Sequence, residues 1–136
     1  MNEELEILKT VCQRLKDAGI PYMITGSIAA NFYAVPRMTR DIDIVIVVKR
    51  EDRASLGALF KNDFYVDAES IRKAIEERGM FNIIHNEYVI KVDFIIRKDS
   101  PYRELEFKRR QKIRIEGTEI SLVSIEDLIL SKLLKM

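Results

Sequence analysis

The sequence predicts an α+β domain in two layers, a mixed β-sheet with helices packed against it. Segments with helical apolar spacing alternate with short runs rich in Ile and Val, in the order helix, strand, helix, strand, helix, helix, then strands. The 136 residues suit one domain, long enough to bury roughly two thirds of the unfolded chain's surface. The balance of 47% hydrophobic and 33% charged residues is that of a globular chain rather than a disordered one. No repeat, low-complexity stretch or linker divides residues 1–136, so a single domain is expected.

Each element has a local cause. Glu3 to Ala18 carries Leu5, Leu8, Val11, Cys12 and Leu15 at helical spacing, and Gly19 with Pro21 ends it. Tyr22 to Thr25 reads as a short strand, Gly26 as a turn and Ser27 to Tyr33 as a short helix. Pro36 to Arg40 connects to Asp41–Val48, the strongest strand in the chain. Glu51 to Asn62 reads as a helix with Leu56, Leu59 and Phe60 inward, and Glu69 to Arg78 as another, closed by Gly79. Phe81 to His85 and Tyr88 to Ile96 are expected as strands joined by a tight turn at Asn86-Glu87. A short helix follows Pro101, then a hairpin over Arg114 to Leu122 around Gly117-Thr118. Ser124 to Lys135 completes the chain as a helix, with Ser124 as N-cap and Asp127 positioned to reach back.

Bulk charge says little about partners, because the net charge is +1. Its distribution says more: residues 97–114 hold eight basic side chains against three acidic ones. Cys12 is the sole cysteine, which precludes an internal disulfide and suits a reducing compartment. The opening Met-Asn-Glu-Glu is acidic where a signal peptide would be basic, and no apolar run has the length of a membrane span. A cytoplasmic protein without membrane association is expected.

Asp41 and Asp43 are the anomaly. Alternation along a strand points both to one face, with Ile42 and Ile44 on the other. Neighbouring carboxylates repel, and burial raises the cost. A divalent cation relieves both penalties, and oxygen-only ligands suit magnesium. A third acid, Asp93, lies in the apolar run YVIKVDFII. The simpler reading is a carboxylate paired with a nearby base such as Arg37, Arg40 or Lys91. Upstream, Gly26 lets a ligand approach the backbone, and the helix start at Ser27 offers free N–H groups to a phosphate; the simpler reading there is a plain N-cap.

Together, GSIAANFYAVPRMTRDIDIVI (residues 26–46) and the later IKVDFII resemble the nucleotidyltransferase superfamily that includes DNA polymerase beta. The Arg-x-Thr-x-Asp-x-Asp spelling of Arg37, Thr39, Asp41 and Asp43 is similar to minimal prokaryotic members, among them the AbiEii toxins, which work with an antitoxin. The resemblance implies that Asp41, Asp43 and Asp93 hold two magnesium ions and are the catalytic acids. It implies that Gly26 and Ser27 hold the triphosphate of the donor nucleotide, with Arg37 and Thr39 in the same motif. EDLILSKLLKM resembles a C-terminal segment whose lysine, here Lys132, contacts phosphate. Family members usually continue into further helix, so the expectation is either a minimal version or a pocket completed by a partner chain or homo-oligomer.

Three functions follow. The first is an enzyme moving a nucleoside monophosphate from a nucleoside triphosphate to an acceptor hydroxyl on a protein, an RNA or a small molecule. The second is a catalytically silent module of the same fold acting through a partner chain, as in a toxin–antitoxin pair. The third is RNA binding through RRQKIR, where aromatic residues for base stacking are sparse. His85, Tyr88 and Tyr102 read as structural.

Overall fold

The computed structural model describes residues 3–26, 28–29 and 41–134. In chain order it has α1 (Glu3–Asp17), β1 (Tyr22–Thr25), β2 (Asp41–Ile46), α2 (Arg53–Phe60) and β3 (Phe64–Tyr65). Then come α3 (Ala68–Glu77), β4 (Met80–His85), β5 (Lys91–Ile96), α4 (Pro101–Lys108), β6 (Gln111–Ile115), β7 (Thr118–Leu122) and α5 (Ile125–Leu134). The seven strands form one sheet in the order β3-β4-β5-β2-β1-β7-β6. The β2/β5 and β1/β7 pairs are parallel and the other four antiparallel, so the sheet is mixed, as the alternating pattern predicts.

One face of this sheet is the core. Ile42, Ile44 and Ile46 of β2 and Val92, Phe94 and Ile96 of β5 are buried, and the Phe60 ring of α2 meets Phe94 at 5.6 Å. A one-residue slip of β2 would send these three isoleucines to the other face in exchange for carboxylates. At roughly 1.5–3 kcal/mol per buried side chain, that slip costs on the order of 5–9 kcal/mol. Core packing therefore fixes which face Asp41 and Asp43 occupy. The second face is partly covered by α4 and α5, through Phe107 and Ser131 beside Met23, Val45 and Ile95.

Several boundaries differ from the expectation. The second strand ends at Ile46, and a 3-10 turn (Arg50–Asp52) precedes α2. The strand Phe64–Tyr65, too short to show a period, pairs with the edge of β4. Arg78, not Gly79, takes the left-handed conformation (φ 50°) that closes α3, and its guanidinium meets Asp99 at 2.9 Å. The β4–β5 turn is wider than Asn86-Glu87: His85 N donates to Ile90 O, and Val89 (φ 55°) supplies the reversal. In the last hairpin the turn is Glu116-Gly117, both with positive φ (49° and 84°) as right-handed strand twist demands of a two-residue loop. The expected helix at Ser27–Tyr33 and the connector at Pro36–Arg40 lie outside the described residues, apart from Ile28 and Ala29, which are buried. No helix among the described residues is long and apolar enough to cross a membrane.

Candidate functional site

Strand register brings the acids together. Thr25 pairs with Asp43, Asp43 with Asp93 and Asp93 with Asn82, so one polar row crosses four strands on the less covered face. One step along, Asp41 pairs with Lys91. Asp41 is exposed, Asp43 half-buried and Asp93 buried at 8% exposure. The Lys91 ammonium lies 4.0 Å from Asp41 Oδ2 and 3.8 Å from Asp93 Oδ2. These are ion-pair separations beyond hydrogen-bond length, so one cation is shared between two acids. Among the described residues Lys91, two residues before Asp93 and on the same face, is a basic neighbour of both acids, while Arg37 and Arg40 lie outside the described residues.

Gly26 follows β1 with φ +69°, a conformation that favours glycine. A Cβ there would lie 2.1 Å from Asp43 Oδ2 and 2.9 Å from its Cγ. The glycine therefore makes room for the carboxyl group of Asp43 as well as for a turn. Ser27, Arg37 and Thr39 lie outside the described residues.

The chemistry of the donor set suits a hard divalent cation, since all three acids offer only oxygen. Asp93 Oδ1 is buried and has no hydrogen-bond partner among the described residues, an orphaned acceptor that a cation would satisfy. The residues thus fit magnesium in kind. They are not drawn into a ready-made cage: among the described residues no three acidic, histidine or cysteine side chains converge as a metal cluster. Mutual repulsion is the physical reason for carboxylates to stand apart, with Lys91 offsetting part of it.

Further along the same face lies a cavity of about 250 Å³. Met23, Val45 and Ile95 form an apolar floor, each two residues along its strand from Thr25, Asp43 and Asp93 respectively. Arg103, Glu106 and Phe107 of α4 and Ser131 of α5 face the floor. Glu106, buried, accepts from Arg103 Nη1 (2.9 Å) and Ser131 Oγ (3.2 Å), which ties the two helices together. Lys132, next along α5, is exposed.

A second tie holds α5. Asp127 is 1% exposed; it accepts from Arg109 Nε at 3.1 Å and from the Arg109 Nη2, and Ser124 Oγ donates to it at 2.8 Å. Asp127 N donates to Ser124 Oγ, so the expected cap is present. The Arg109 guanidinium holds the Asp127 carboxyl below the usual carboxylate range. Tyr102, expected to be packing only, also donates to Asp127 Oδ1 (3.3 Å). His85 is structural: its Nδ1 accepts from the backbone N–H groups of Glu87 and Tyr88. Sequence reasoning missed Arg103, Glu106 and Asp127 as a helix-locking set, and its only signal was acids at buried helical positions.

No protein-family model and no curated protein matches the chain. Solved structures do. A nucleotidyltransferase candidate from Thermotoga maritima aligns over 98% of this chain and 84% of its own, with TM-score 0.67 and 21% identity. An antigenic nucleotidyltransferase-like protein from Paracoccidioides brasiliensis aligns over 98% of this chain, TM-score 0.69, 20% identity; the chain spans 66% of its length. The lincosamide antibiotic adenylyltransferase LnuA, with lincomycin bound, aligns over 96% of this chain and 84% of its own, with TM-score 0.61 and 13% identity. The chain has the nucleotidyltransferase fold.

Proposed function

We propose that the chain is a magnesium-dependent nucleotidyltransferase, transferring a nucleoside monophosphate from a nucleoside triphosphate to an acceptor hydroxyl. The observation that carries this reading is the register of Asp43 with Asp93, with Gly26 packed on the Asp43 carboxylate where β1 ends. Asp41, Asp43 and Asp93 would hold the metal ions, which when bound would neutralise the triphosphate and make the acceptor hydroxyl more acidic. Gly26 and Ser27 would receive the β- and γ-phosphates, with Arg37, Thr39 and Lys132 as further phosphate contacts. The acceptor oxygen bonds to the α-phosphorus as the bond from that phosphorus to the bridging oxygen breaks, and pyrophosphate leaves with those electrons. Asp93, the most buried acid, is the base that takes the acceptor's proton. The Arg-x-Thr-x-Asp-x-Asp spelling supports a place beside the minimal prokaryotic, AbiEii-like members, acting in the cytoplasm.

Incubation with each α-labelled nucleoside triphosphate, magnesium and cell lysate tests the reading. Transfer of label with release of pyrophosphate, absent in Asp43→Asn, is the expected result; no label from any nucleotide counts against it.

One observation favours the partner-module reading. Ile125, Ile129, Leu130 and Leu133 leave an apolar stripe on α5, from 38% to 58% exposed, of the kind that a second helix covers. A concentration-dependent mass in analytical ultracentrifugation, lost in Ile129→Glu, is the expected sign of such pairing; a monomer at all concentrations removes self-association.

A further inference from the structure

Asp43 and Asp93 lie between two features of the same sheet face, with Asp41 one step beyond the first of them. At one end is Gly26, where β1 ends and β2 begins. At the other is the cavity over Met23, Val45 and Ile95, reached by moving along β2 and β5 away from Gly26. An in-line displacement at phosphorus needs the entering and leaving oxygens on opposite sides. If the leaving pyrophosphate lies at Gly26, the entering group comes from the cavity side.

The cavity's chemistry is one-sided. Arg97, Lys98 and Arg103 line it against a single acid, Glu106, which Arg103 and Ser131 already engage. Lys98 Nζ donates to Arg78 O at 2.8 Å, and Arg97 meets Asp99, itself exposed, only at 3.7 Å. The Arg97 guanidinium lies 5.6 Å from the Phe107 ring centre and Arg110 stacks on the same ring at 4.1 Å, so two like charges share one aromatic side chain. Both arginines have a buried Nε with no acceptor among the described residues, and of the two only Arg97 lines the cavity. The Arg97 side chain is 22% exposed, so its guanidinium charge is open to an anion in the cavity. Size narrows the choice. At about 250 Å³ the cavity accepts a group of sugar-ring size.

We propose that this cavity is the acceptor pocket and that it takes a small phosphorylated polyol or sugar, its phosphate held by Arg97 and Lys98 and its free hydroxyl presented toward Asp93. The proposal rests on the nucleotidyl-transfer reading. Arg97 follows Asp93 by four residues, roughly 13 Å along the strand, and an arginine side chain shortens that gap to the length of a sugar phosphate. The same charge set disfavours a polycationic aminosugar, which would face three bases and one acid already engaged.

Calorimetry on the intact chain with magnesium tests it, using ribose 5-phosphate, ribose, a 5′-phosphorylated ribotetranucleotide, a polycationic aminosugar and a non-hydrolysable nucleoside triphosphate as separate probes. Ribose 5-phosphate should bind, and ribose and the aminosugar at least tenfold more weakly. Arg97→Gln should lose tenfold or more for ribose 5-phosphate while triphosphate affinity stays within twofold, and ribose 5-phosphate should not displace the triphosphate. Lys98→Gln, at an exposed position, should lose several-fold and serves if Arg97→Gln fails to fold. Equal binding of ribose and ribose 5-phosphate overturns the phosphate handle. Displacement of the triphosphate makes the cavity a donor subsite, and preferred binding of the tetranucleotide replaces the small acceptor by RNA. Triphosphate binding without any ribose 5-phosphate binding sinks the pocket alone, whereas binding of neither sinks the transfer reading with it.

Discussion

Gly26 and Asp43 are packed so closely that a methyl group on the glycine would lie 2.1 Å from the carboxylate oxygen. Gly26→Ala therefore has two effects, a left-handed backbone cost of about 1–2 kcal/mol and displacement of the Asp43 side chain. Gly19 isolates the first, because its φ is +72° and nothing lies within 4 Å of a Cβ there. Both alanine variants should lose stability in denaturant melts, Gly26→Ala by at least as much as Gly19→Ala. Only Gly26→Ala should lose manganese binding, tenfold or more by calorimetry, and equal binding by both variants would leave the contact without functional weight.

Lys91 shares its charge between Asp41 and Asp93, so an incoming divalent cation competes with it. Lys91→Met should melt lower than wild type without metal. It should also gain more from magnesium, since ligand-linked stabilisation grows with affinity. A magnesium-induced melting shift no larger than that of wild type argues that the ammonium is a bystander.

Asp43 and Asp93 are direct neighbours across β2 and β5. Facing like charges destabilise a strand pair by up to about 1 kcal/mol. Asp43→Asn should accordingly raise the metal-free melting temperature by a few degrees and abolish the magnesium-induced shift. A lower melting temperature would mean that the Asp43 charge is satisfied within the protein.

Asp127 reports on how α5 is held. Its folded-state pKa is depressed, chiefly by hydrogen bonding to Arg109. Its contribution is therefore complete above the unfolded value, about pH 4, and is lost as pH falls through the lower folded value. Arg109→Met leaves the buried carboxyl without that partner and should lower stability at pH 7. Burial then raises the Asp127 pKa, so the variant should gain stability on acidification from pH 7 to 5. Urea melts across that range check the sign: a deficit from wild type that stays constant refutes the buried-pair account.

The local sequence determined the elements and one half of the site. Alternation of Ile42, Ile44 and Ile46 with Asp41 and Asp43 settles the face of both acids, because burying the isoleucines outweighs any other register. Ser124 three residues before Asp127 is a short-range pattern of the same kind. Turn positions slipped by one residue, at Arg78, which took the left-handed conformation expected of Gly79, and at Glu116, which takes it together with Gly117. What the tertiary structure decided was everything that depends on strand order. The parallel pairing of β2 with β5 joins residues fifty apart, setting Asp93 beside Asp43 and Lys91 beside Asp41. The folding of α4 and α5 over the far end of the same face sets Arg103, Glu106 and Ser131 above Val45 and Ile95. Neither juxtaposition has a periodic signature, since such contacts follow from how whole elements bury their apolar faces rather than from the spacing of neighbours along the chain.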